Sequence, residues 1–482
     1  MAAEAKTVTG RRRLLVTLGV LGLLGLALAG WRLWAAHAAV AGGVPPVPEL
    51  AQGADELQQR VRRADAGARG YLHPQRSLAE LARLCHANGF FDEAILCYET
   101  LQRLQPDEAR WPHLHAAILA TNGQLDEAAP LYRRSAELAP DYLPARLRLG
   151  DVLLKANRLS EAEQAYRGVL QKLASEPYAM LGLARCAIAR DDWESARQQL
   201  QGCIAANPEF VGGLSLMATV HEHFGEPDEA NRIREHVNKR EFVDLLDPWV
   251  EALLEDCYDH YRLSVAAAVA GFRGDHASAE RWLLRAIELS PKPAAYYRQL
   301  GKFYTRTENM SAARRAFEHA TALAPEDSDA WALLVNLLKS AGERPAAYSA
   351  LDRGLRNRPD SRALHHALGQ MLAEDGRYAP AIAEFQRAKQ LQPTEVSAYV
   401  EIALVHFRLG EIEAGMDEMR AALAVQPDHP VALVMLGRDA IARGEEAQAR
   451  EWIRRARLQS RVRPEDLNAM LAEFQQKFGR LP

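Results

Sequence analysis

Three basic residues recur at four-residue steps in the second half of the chain: Arg298, Lys302 and Arg306. On a helix, this spacing places all three side chains along one face. Like charges at this spacing repel each other by roughly a few tenths of a kcal/mol, so we expect an acidic group nearby. It could come from Glu308 or Glu343, or from a partner protein whose carboxylate would accept charge-assisted hydrogen bonds.

Other residues with catalytic or metal-binding side chains are spaced unfavourably. His113 and His115 are separated by one residue, as are His221 and His223, whereas paired metal ligands on a helix face usually lie four residues apart. The sequence contains neither a G-x-x-x-x-G-K-S/T phosphate loop nor a G-x-S-x-G nucleophile motif. We therefore expect no catalytic residue, no metal site, no cofactor and no enzymatic activity.

Composition excludes further classes of function. The formal net charge is −4 over 482 residues, which gives no global attraction to nucleic acid. The five Cys residues include no C-x-x-C pair, which argues against zinc and redox motifs and favours buried free thiols. Lys contributes nine of the 59 basic residues, and this excess of Arg suggests a GC-rich, bacterial genome.

The elements that position these side chains are set by a 34-residue repeat. A small residue marks each of eleven units, and one gap of 49 residues separates the fifth unit from the sixth. The marker positions are Ala94, Ala128, Ala162, Ala196, Ala230, Ala279, Ala313, Ala347, Ala381, Gly415 and Ala449. Twelve residues after the marker, Pro occurs in eight of the eleven units.

Each unit is predicted to be a pair of helices. Small residues at the marker and twelve residues before it let two helices approach closely, and a large side chain four residues after the marker fills the space between them. Gly between the two helices allows the turn, and Pro ends the second helix. A pair this short buries its apolar face only by stacking on its neighbours. The predicted turn glycines are Gly89, Gly123, Gly225, Gly274 and Gly376.

This pattern resembles the tetratricopeptide repeat (TPR) family over residues 75–463. The resemblance implies an all-α fold, a superhelical solenoid of about eleven helix-turn-helix repeats. It also implies that the first helix of each unit lines a concave groove that binds proteins or peptides. In the seventh unit that helix carries Arg298, Lys302 and Arg306.

The resemblance extends to possible partners. The eighth unit adds Asn336 and Lys339, so these five residues resemble the basic groove with which some TPR domains hold a peptide carboxylate. The ninth unit has Ala363 and Ala367 where that groove would be basic, so the match is incomplete. The alternative is a helix face that is solvated or paired internally.

The gap between the fifth and sixth units holds an insertion, LLDPWVEALLEDCYD, at residues 245–259. It contains five acidic residues and no basic one. Asp247 followed by Pro248 is typical of a helix N-cap and first helical position, so we expect a short extra helix. Two roles remain open: a helix that fills the joint between two repeat arrays, or a docking site for a partner.

The N-terminus is predicted to leave the cytoplasm. Four basic residues precede Leu14, and the eighteen residues from Leu14 to Trp31 carry no charge, which is the lower end of a membrane-spanning length. The positive-inside rule then orients the chain with its N-terminus in the cytoplasm. A cleaved signal peptide is the alternative, because Ala27-Leu28-Ala29 fits a cleavage site. Either reading places the repeats outside the cytoplasm.

The predicted organisation has seven parts. They are a cytoplasmic N-terminus (1–13), a transmembrane signal-anchor (14–36), a spacer and capping helix (37–74), a five-repeat array (75–244), the acidic helical insertion (245–259), a six-repeat array (260–463) and a C-terminal capping helix (464–482). Within them, VPPVPEL (44–50) is predicted to be a stiff spacer from the membrane, and ADELQQRVRRADA after it an amphipathic cap. In the C-terminal helix, one face is predicted to carry Leu467, Met470, Leu471, Phe474 and Phe478.

These features predict a protein-interaction scaffold anchored in the bacterial inner membrane, with its solenoid in the periplasm. Its function would be in cell-envelope assembly. Its partners would be proteins or peptides that carry acidic segments or a C-terminal carboxylate. The alternative is an accessory subunit that presents substrate to an envelope enzyme system such as a glycosyltransferase or a peptidase.

Overall fold

The computed structural model describes residues 23–24, 26–49, 55–238, 244–459 and 461–482, and within these ranges all regular elements are helices. Two compact units are present, Met1–Leu289 and Ser290–Pro482, called unit one and unit two. The insertion at 245–259 therefore lies inside unit one, together with the sixth repeat.

In unit one, each helix of the first five repeats packs against the next in sequence. A first helical segment, α1, covers residues 26–41. The remaining helices are α2 (Asp55–Ala68), α3 (Pro74–Ala87), α4 (Phe91–Leu104), α5 (Arg110–Thr121), α6 (Leu125–Leu138), α7 (Leu143–Lys155), α8 (Leu159–Leu170), α9 (Pro177–Ala189), α10 (Trp193–Ala206), α11 (Val211–His223), α12 (Pro227–Val237), α13 (Pro248–Glu251), a 3-10 helix (Ala252–Asp256), α14 (His260–Phe272) and α15 (His276–Leu289).

Unit two continues the same pattern through the last five repeats, again with successive helices in contact. Its helices are α16 (Ala294–Arg306), α17 (Met310–Leu323), α18 (Ser328–Ser340), α19 (Arg344–Asn357), α20 (Arg362–Glu374), α21 (Tyr378–Leu391), α22 (Ser397–Arg408), α23 (Ile412–Val425), α24 (Pro430–Arg443), α25 (Glu446–Arg457) and α26 (Pro464–Phe478).

The seventh repeat shows why the two helices of a unit approach so closely. Ala313 of α17 is fully buried, and the ring of Phe317, one turn later, lies against Gly301 of α16. A Cβ atom added to Gly301 would lie 2.4 Å from that ring, so only glycine fits there. The predicted roles of the small and large positions are confirmed in this repeat.

The turns and helix ends also follow the sequence. The five predicted turn glycines all have positive φ, for example 72° at Gly376. Asn157, Asp191 and Glu308 adopt the same left-handed conformation in repeats that lack the glycine. At each of the eight repeat prolines, the second helix ends two residues earlier, as in α17, which ends at Leu323 before Pro325.

Both ends of the repeat region are covered by amphipathic helices. In α26, Met470 and Phe474 are fully buried against the last repeats, and the other three predicted residues of that face are partly buried. In α2, Leu57, Val61, Ala64 and Ala68 are buried, and the helix packs against α3. Residues 44–49 differ from a free spacer: Pro45 and Pro48 are buried, and the Pro45 carbonyl accepts a hydrogen bond from Arg69.

The predicted transmembrane segment at 14–36 falls largely outside the described residues, which omit 1–22 and Gly25. Residues 26–36 of the segment belong to α1. Of the helices that the structure describes, none has both the length and the apolar character needed to cross a membrane.

Candidate protein-binding surfaces

In unit one, the insertion lies across the first helices of the third, second and first repeats, in that order. We call the surface formed by these helices, α7, α5 and α3, the unit-one groove. Asp247 contacts the second and third repeats, while Asp256 contacts the first repeat and the α2 cap. The insertion therefore runs opposite to the order of the repeats that hold it. Its own secondary structure is short: α13 has four residues, and Asp247 caps it through the Val250 amide as predicted.

The Asp247 carboxylate is the most enclosed charge of the insertion, with 3% of the residue exposed. Its Oδ2 atom accepts a hydrogen bond from Nε2 of His113 at 2.8 Å. Its Oδ1 atom accepts one from the Tyr142 hydroxyl at 2.7 Å. The Arg148 guanidinium lies 3.8 Å from Oδ2. Both carboxylate oxygens are thus satisfied by side chains of the unit-one groove, as a buried charge requires.

These neighbours determine the protonation of Asp247 and Tyr142. Burial opposes ionisation of Asp247, but the hydrogen bonds from His113 and Tyr142 and the charge of Arg148 outweigh it, so the pKa of Asp247 lies below its ordinary value. Burial and the adjacent carboxylate raise the pKa of Tyr142, which keeps its hydroxyl protonated. The groove therefore selects an ionised carboxylate, because both partners in contact with it donate.

An aromatic contact holds the insertion next to this carboxylate. The Trp249 ring stacks on the Tyr142 ring with 3.6 Å between centroids and an interplanar angle of 11°. The backbone N–H of Trp249 donates to the Tyr142 hydroxyl oxygen at 2.9 Å. The His113 ring stands nearly perpendicular to the Trp249 ring, with 5.2 Å between the two centroids. On the other side of Asp247, Leu245 is buried in the apolar cluster of the second to fourth repeats.

A second acidic anchor lies at the far end of the insertion. The Asp256 carboxylate receives hydrogen bonds from Arg60 at 2.7 Å and from Arg83 at 3.0 Å. The Asn88 side-chain amide donates to the Asp256 carbonyl at 2.8 Å and accepts from the Tyr258 amide at 2.7 Å. An asparagine that binds the backbone in both directions fixes an extended chain irrespective of its side chains.

The residues of the unit-one groove were not predicted from the sequence. His113 and His115, whose spacing is unfavourable for a shared metal ion, face different partners, Asp247 and Gln102. Charge was the one sequence feature that indicated this contact. The insertion has five acidic residues and no basic one, and the residues that bind it include Arg60, Arg83 and Arg148. Among the described residues, no three His, Cys, Asp or Glu side chains are grouped so as to hold a metal ion.

In unit two, the five predicted partner-binding residues lie on the first helices of two successive repeats. Arg298, Lys302 and Arg306 belong to α16, and Asn336 and Lys339 to α18. Lys302 and Asn336 are separated by one repeat length and occupy equivalent positions; the next equivalent residue is Gln370 of α20. We call Lys302, Asn336 and Gln370 the polar row.

Arg298 and Lys339 are paired with acidic residues of unit two. Arg298 lies 2.9 Å from Asp327, the residue that caps α18, and 3.4 Å from Asp329. Lys339 lies 2.5 Å from Glu374. Glu343, one of the acidic residues expected to balance the basic face of α16, pairs with Arg314 of α17. The acidic partner of Arg298 is thus Asp327, which lies directly before α18, the first helix of the next repeat.

Two members of the polar row, Lys302 and Asn336, are accessible on this surface. Lys302 and Asn336 are exposed and have no hydrogen-bond or ion-pair partner among the residues of unit two that the structure describes. Gln370 is half-buried and donates to Glu401 at 2.9 Å. A cation such as Lys302 is suited to bind a carboxylate. The amide side chains of Asn336 and Gln370 are suited to bind an adjoining extended backbone, because amides both donate and accept hydrogen bonds.

The family models agree with the repeat architecture. Family models described as tetratricopeptide repeat match residues 80–142, 119–181, 160–218, 304–371 and 400–461, more than half of the chain in all. The crystal structure of yeast Tom70 is similar over 83% of this chain and 94% of that chain, with 14% identity and a TM-score of 0.39.

Two curated relatives come from bacterial cellulose synthase operons. Cellulose synthase 1 operon protein C of Komagataeibacter xylinus is 23% identical over 480 residues, covering 86% of this chain and 34% of that protein. Cellulose synthase operon protein C of Xanthomonas axonopodis pv. citri is 26% identical over 394 residues, covering 80% and 22%. The chain spans about a third or less of the length of the curated relatives it matches.

The paired helices, their 34-residue spacing and the family-model matches lead to one assignment: this chain belongs to the tetratricopeptide repeat family.

Proposed function

We propose that this protein is a membrane-anchored scaffold of the bacterial cell envelope whose first helices bind extended, acidic segments of partner proteins. TPR repeats generally serve protein interaction, and the observation that carries the proposal is the bound insertion. An acidic stretch of polypeptide is held by side chains in or directly next to three successive first helices, through its carboxylates, its backbone and one aromatic ring. The same class of surface recurs in unit two, where a partner would supply the segment.

In unit two, the polar row is the proposed contact surface. Lys302 would bind a side-chain or C-terminal carboxylate, and Asn336 the adjoining backbone. Arg298 and Lys339 are held by Asp327 and Glu374, so they would contribute to the field around the row more than to direct contacts. Arg306 lies on the same helix, one turn beyond Lys302.

The anchor and the periplasmic location are also proposals. They rest on the four basic residues before Leu14 and the uncharged run that follows. The cellulose synthase operon relatives loosely support a role in the envelope, since cellulose is a cell-surface polymer. These names also favour the second candidate, an accessory subunit that presents substrate to a glycosyltransferase system. In either role the chain itself would not be an enzyme.

The test compares two full-length variants with the same change of charge. Lys302→Glu alters the polar row, and Lys292→Glu alters an exposed lysine in the loop before α16. Proteins that co-purify from membranes in low salt are identified for the wild type and both variants. We expect Lys302→Glu to lose partners that Lys292→Glu retains, and these partners to dissociate as salt is added.

An identical set of partners from all three proteins would refute the role of the polar row. Stoichiometric partners without turnover by the purified chain would support the scaffold. Turnover that appears only when an envelope enzyme co-purifies would favour the accessory subunit.

A further inference from the structure

The insertion is bound to the unit-one groove in the manner of a ligand. The helix pairs of the second and third repeats are packed mainly by their own residues: their marker alanines and aromatic residues belong to one apolar cluster, to which the insertion adds Leu245. The contacts at its two anchors are mainly hydrogen bonds and ion pairs, made by Asp247 and Asp256. Hydrogen bonds of this kind can be re-formed by any chain that presents the same groups in the same order.

We propose that the unit-one groove is a binding site for partner segments that carry an aspartate followed two residues later by a tryptophan, and that the insertion is a competing ligand in cis. The partner is a protein segment in extended or single-turn conformation. A second acidic residue about nine positions after the aspartate would occupy the place of Asp256.

Each part of this motif corresponds to a contact of the insertion. The aspartate is recognised by two donors, His113 and Tyr142, with Arg148 nearby. The tryptophan is recognised by the face of Tyr142, on which it stacks, and by the ring of His113, which stands nearly perpendicular beside it. The distal acid meets Arg60 and Arg83. Charge complementarity thus selects an acidic partner, and the stacked ring selects an aromatic one.

The insertion is suited to exchange because little structure is lost when it leaves. A four-residue α-helix and one 3-10 helix are unstable in isolation, so the released insertion would be an unstructured chain. Its outward side is already accessible: Leu246 is 49% exposed. If the insertion only filled a gap between repeats, apolar side chains at positions 247 and 256 would stabilise the fold more than aspartates do, because burying two carboxylates carries a desolvation cost.

This site is separate from the polar row, and the inference does not depend on the partner proposed for unit two. The test uses a fluorescent peptide with the sequence of residues 244–258, in which serine replaces Cys257. The receiving protein is the full chain with Asp247→Ala and Trp249→Ala, which removes the main anchors of the insertion in cis. We expect this variant to bind the peptide at least tenfold more tightly than the wild type does.

Two controls define the site. We call the protein with Asp247→Ala and Trp249→Ala the opened variant. Adding His113→Ala to it should abolish peptide binding, whereas adding Lys302→Glu should leave peptide binding unchanged. A peptide that lacks both the aspartate and the tryptophan should not bind. Equal affinity of the wild type and the opened variant would overturn the proposal, as would equal binding of both peptides.

A measurement on the wild type covers the case in which the opened variant does not fold. The backbone N–H of Trp249 is bonded to Tyr142, so its hydrogen exchange reports release of the insertion. We expect the amides of Trp249 and Val250 to exchange through local opening, at least tenfold faster than the buried amides of α5. Exchange of both sets at the same rate would mean that the insertion leaves only on unfolding, which overturns the proposal.

Discussion

Tyr142 and Trp249, 107 residues apart in sequence, are joined by two different contacts: their rings stack at 3.6 Å, and the Trp249 amide donates to the Tyr142 hydroxyl. The same hydroxyl donates to Asp247. The side chain of Tyr142, in the turn before α7, therefore contacts the Trp249 ring, the Trp249 backbone and the Asp247 carboxylate of the insertion. Its two kinds of contact can be separated experimentally.

Replacing Tyr142 with Phe removes the hydroxyl and keeps the aromatic stack. Asp247 then loses one of its two groove donors while remaining enclosed, so we expect unit one to be destabilised by about 1–3 kcal/mol. Urea unfolding followed by far-UV circular dichroism measures the change. Tyr261→Phe is the matched control, because Tyr261 is 65% exposed. Equal effects of the two substitutions would contradict the hydrogen-bond assignment.

The marker positions should carry stability and not binding. Ala313 and Ala347 are fully buried between the helices of their repeats, so Leu at either site overpacks a close contact and should cost roughly 1–3 kcal/mol. Thermal unfolding measures the loss. Ala295→Leu, at an exposed site of α16, should be nearly neutral. If neither buried substitution lowers the melting temperature, the repeat register described above is incorrect.

Acidification should weaken unit one through His86. Burial, and to a lesser extent Arg262 and His113, lower the pKa of His86 to about 3. Between that value and the ordinary value of 6.5, the unfolded chain binds a proton that the folded chain does not. The neutral histidine therefore contributes stability that is present above about pH 6.5 and is lost as the pH falls toward 3. From pH 7.5 to 5 this loss should reach about 2 kcal/mol.

The variant His86→Gln isolates this contribution, because glutamine does not titrate and can still hydrogen-bond the Tyr98 hydroxyl that His86 contacts at 3.1 Å. Free energies of unfolding at pH 7.5 and pH 5 are compared for both proteins. We expect the decrease to be smaller in the variant. Identical decreases would assign the pH dependence to other groups, such as His115, whose pKa burial also lowers.

The proposed topology predicts the behaviour of a fusion protein. A reporter that is active only outside the cytoplasm, fused after Pro482, should be active. Activity of a cytoplasmic reporter at the same position would show that the orientation is wrong. N-terminal sequencing of the mature protein then separates an uncleaved anchor from a signal peptide cut after Ala29.

The fold was predictable because its determinants recur at a fixed spacing. Ala313, Phe317 and Gly301 have counterparts 34 residues away, so the helix pairs and their register follow from the sequence alone. The unit-one groove has no such periodicity. His113 meets Asp247 across 134 residues, and nothing in the local sequence of either residue indicates the other. Internal pairing of this helix face was one of the two alternatives, but the sequence did not identify Asp327 as the partner of Arg298, because Asp327 serves as a helix cap and an ion-pair partner at once.

The insertion also changes how unit one is expected to unfold. In a repeat stack, contacts join neighbouring repeats, as do Arg298 and Asp327 across 29 residues, and such stacks can lose their terminal repeats one at a time. In unit one, Arg60 meets Asp256 across 196 residues, and Tyr258 meets Glu56 across 202. These bonds join the N-terminal cap to the segment before the sixth repeat. Fraying from the N-terminal end must break them, so unit one should unfold as one cooperative block while its insertion is bound.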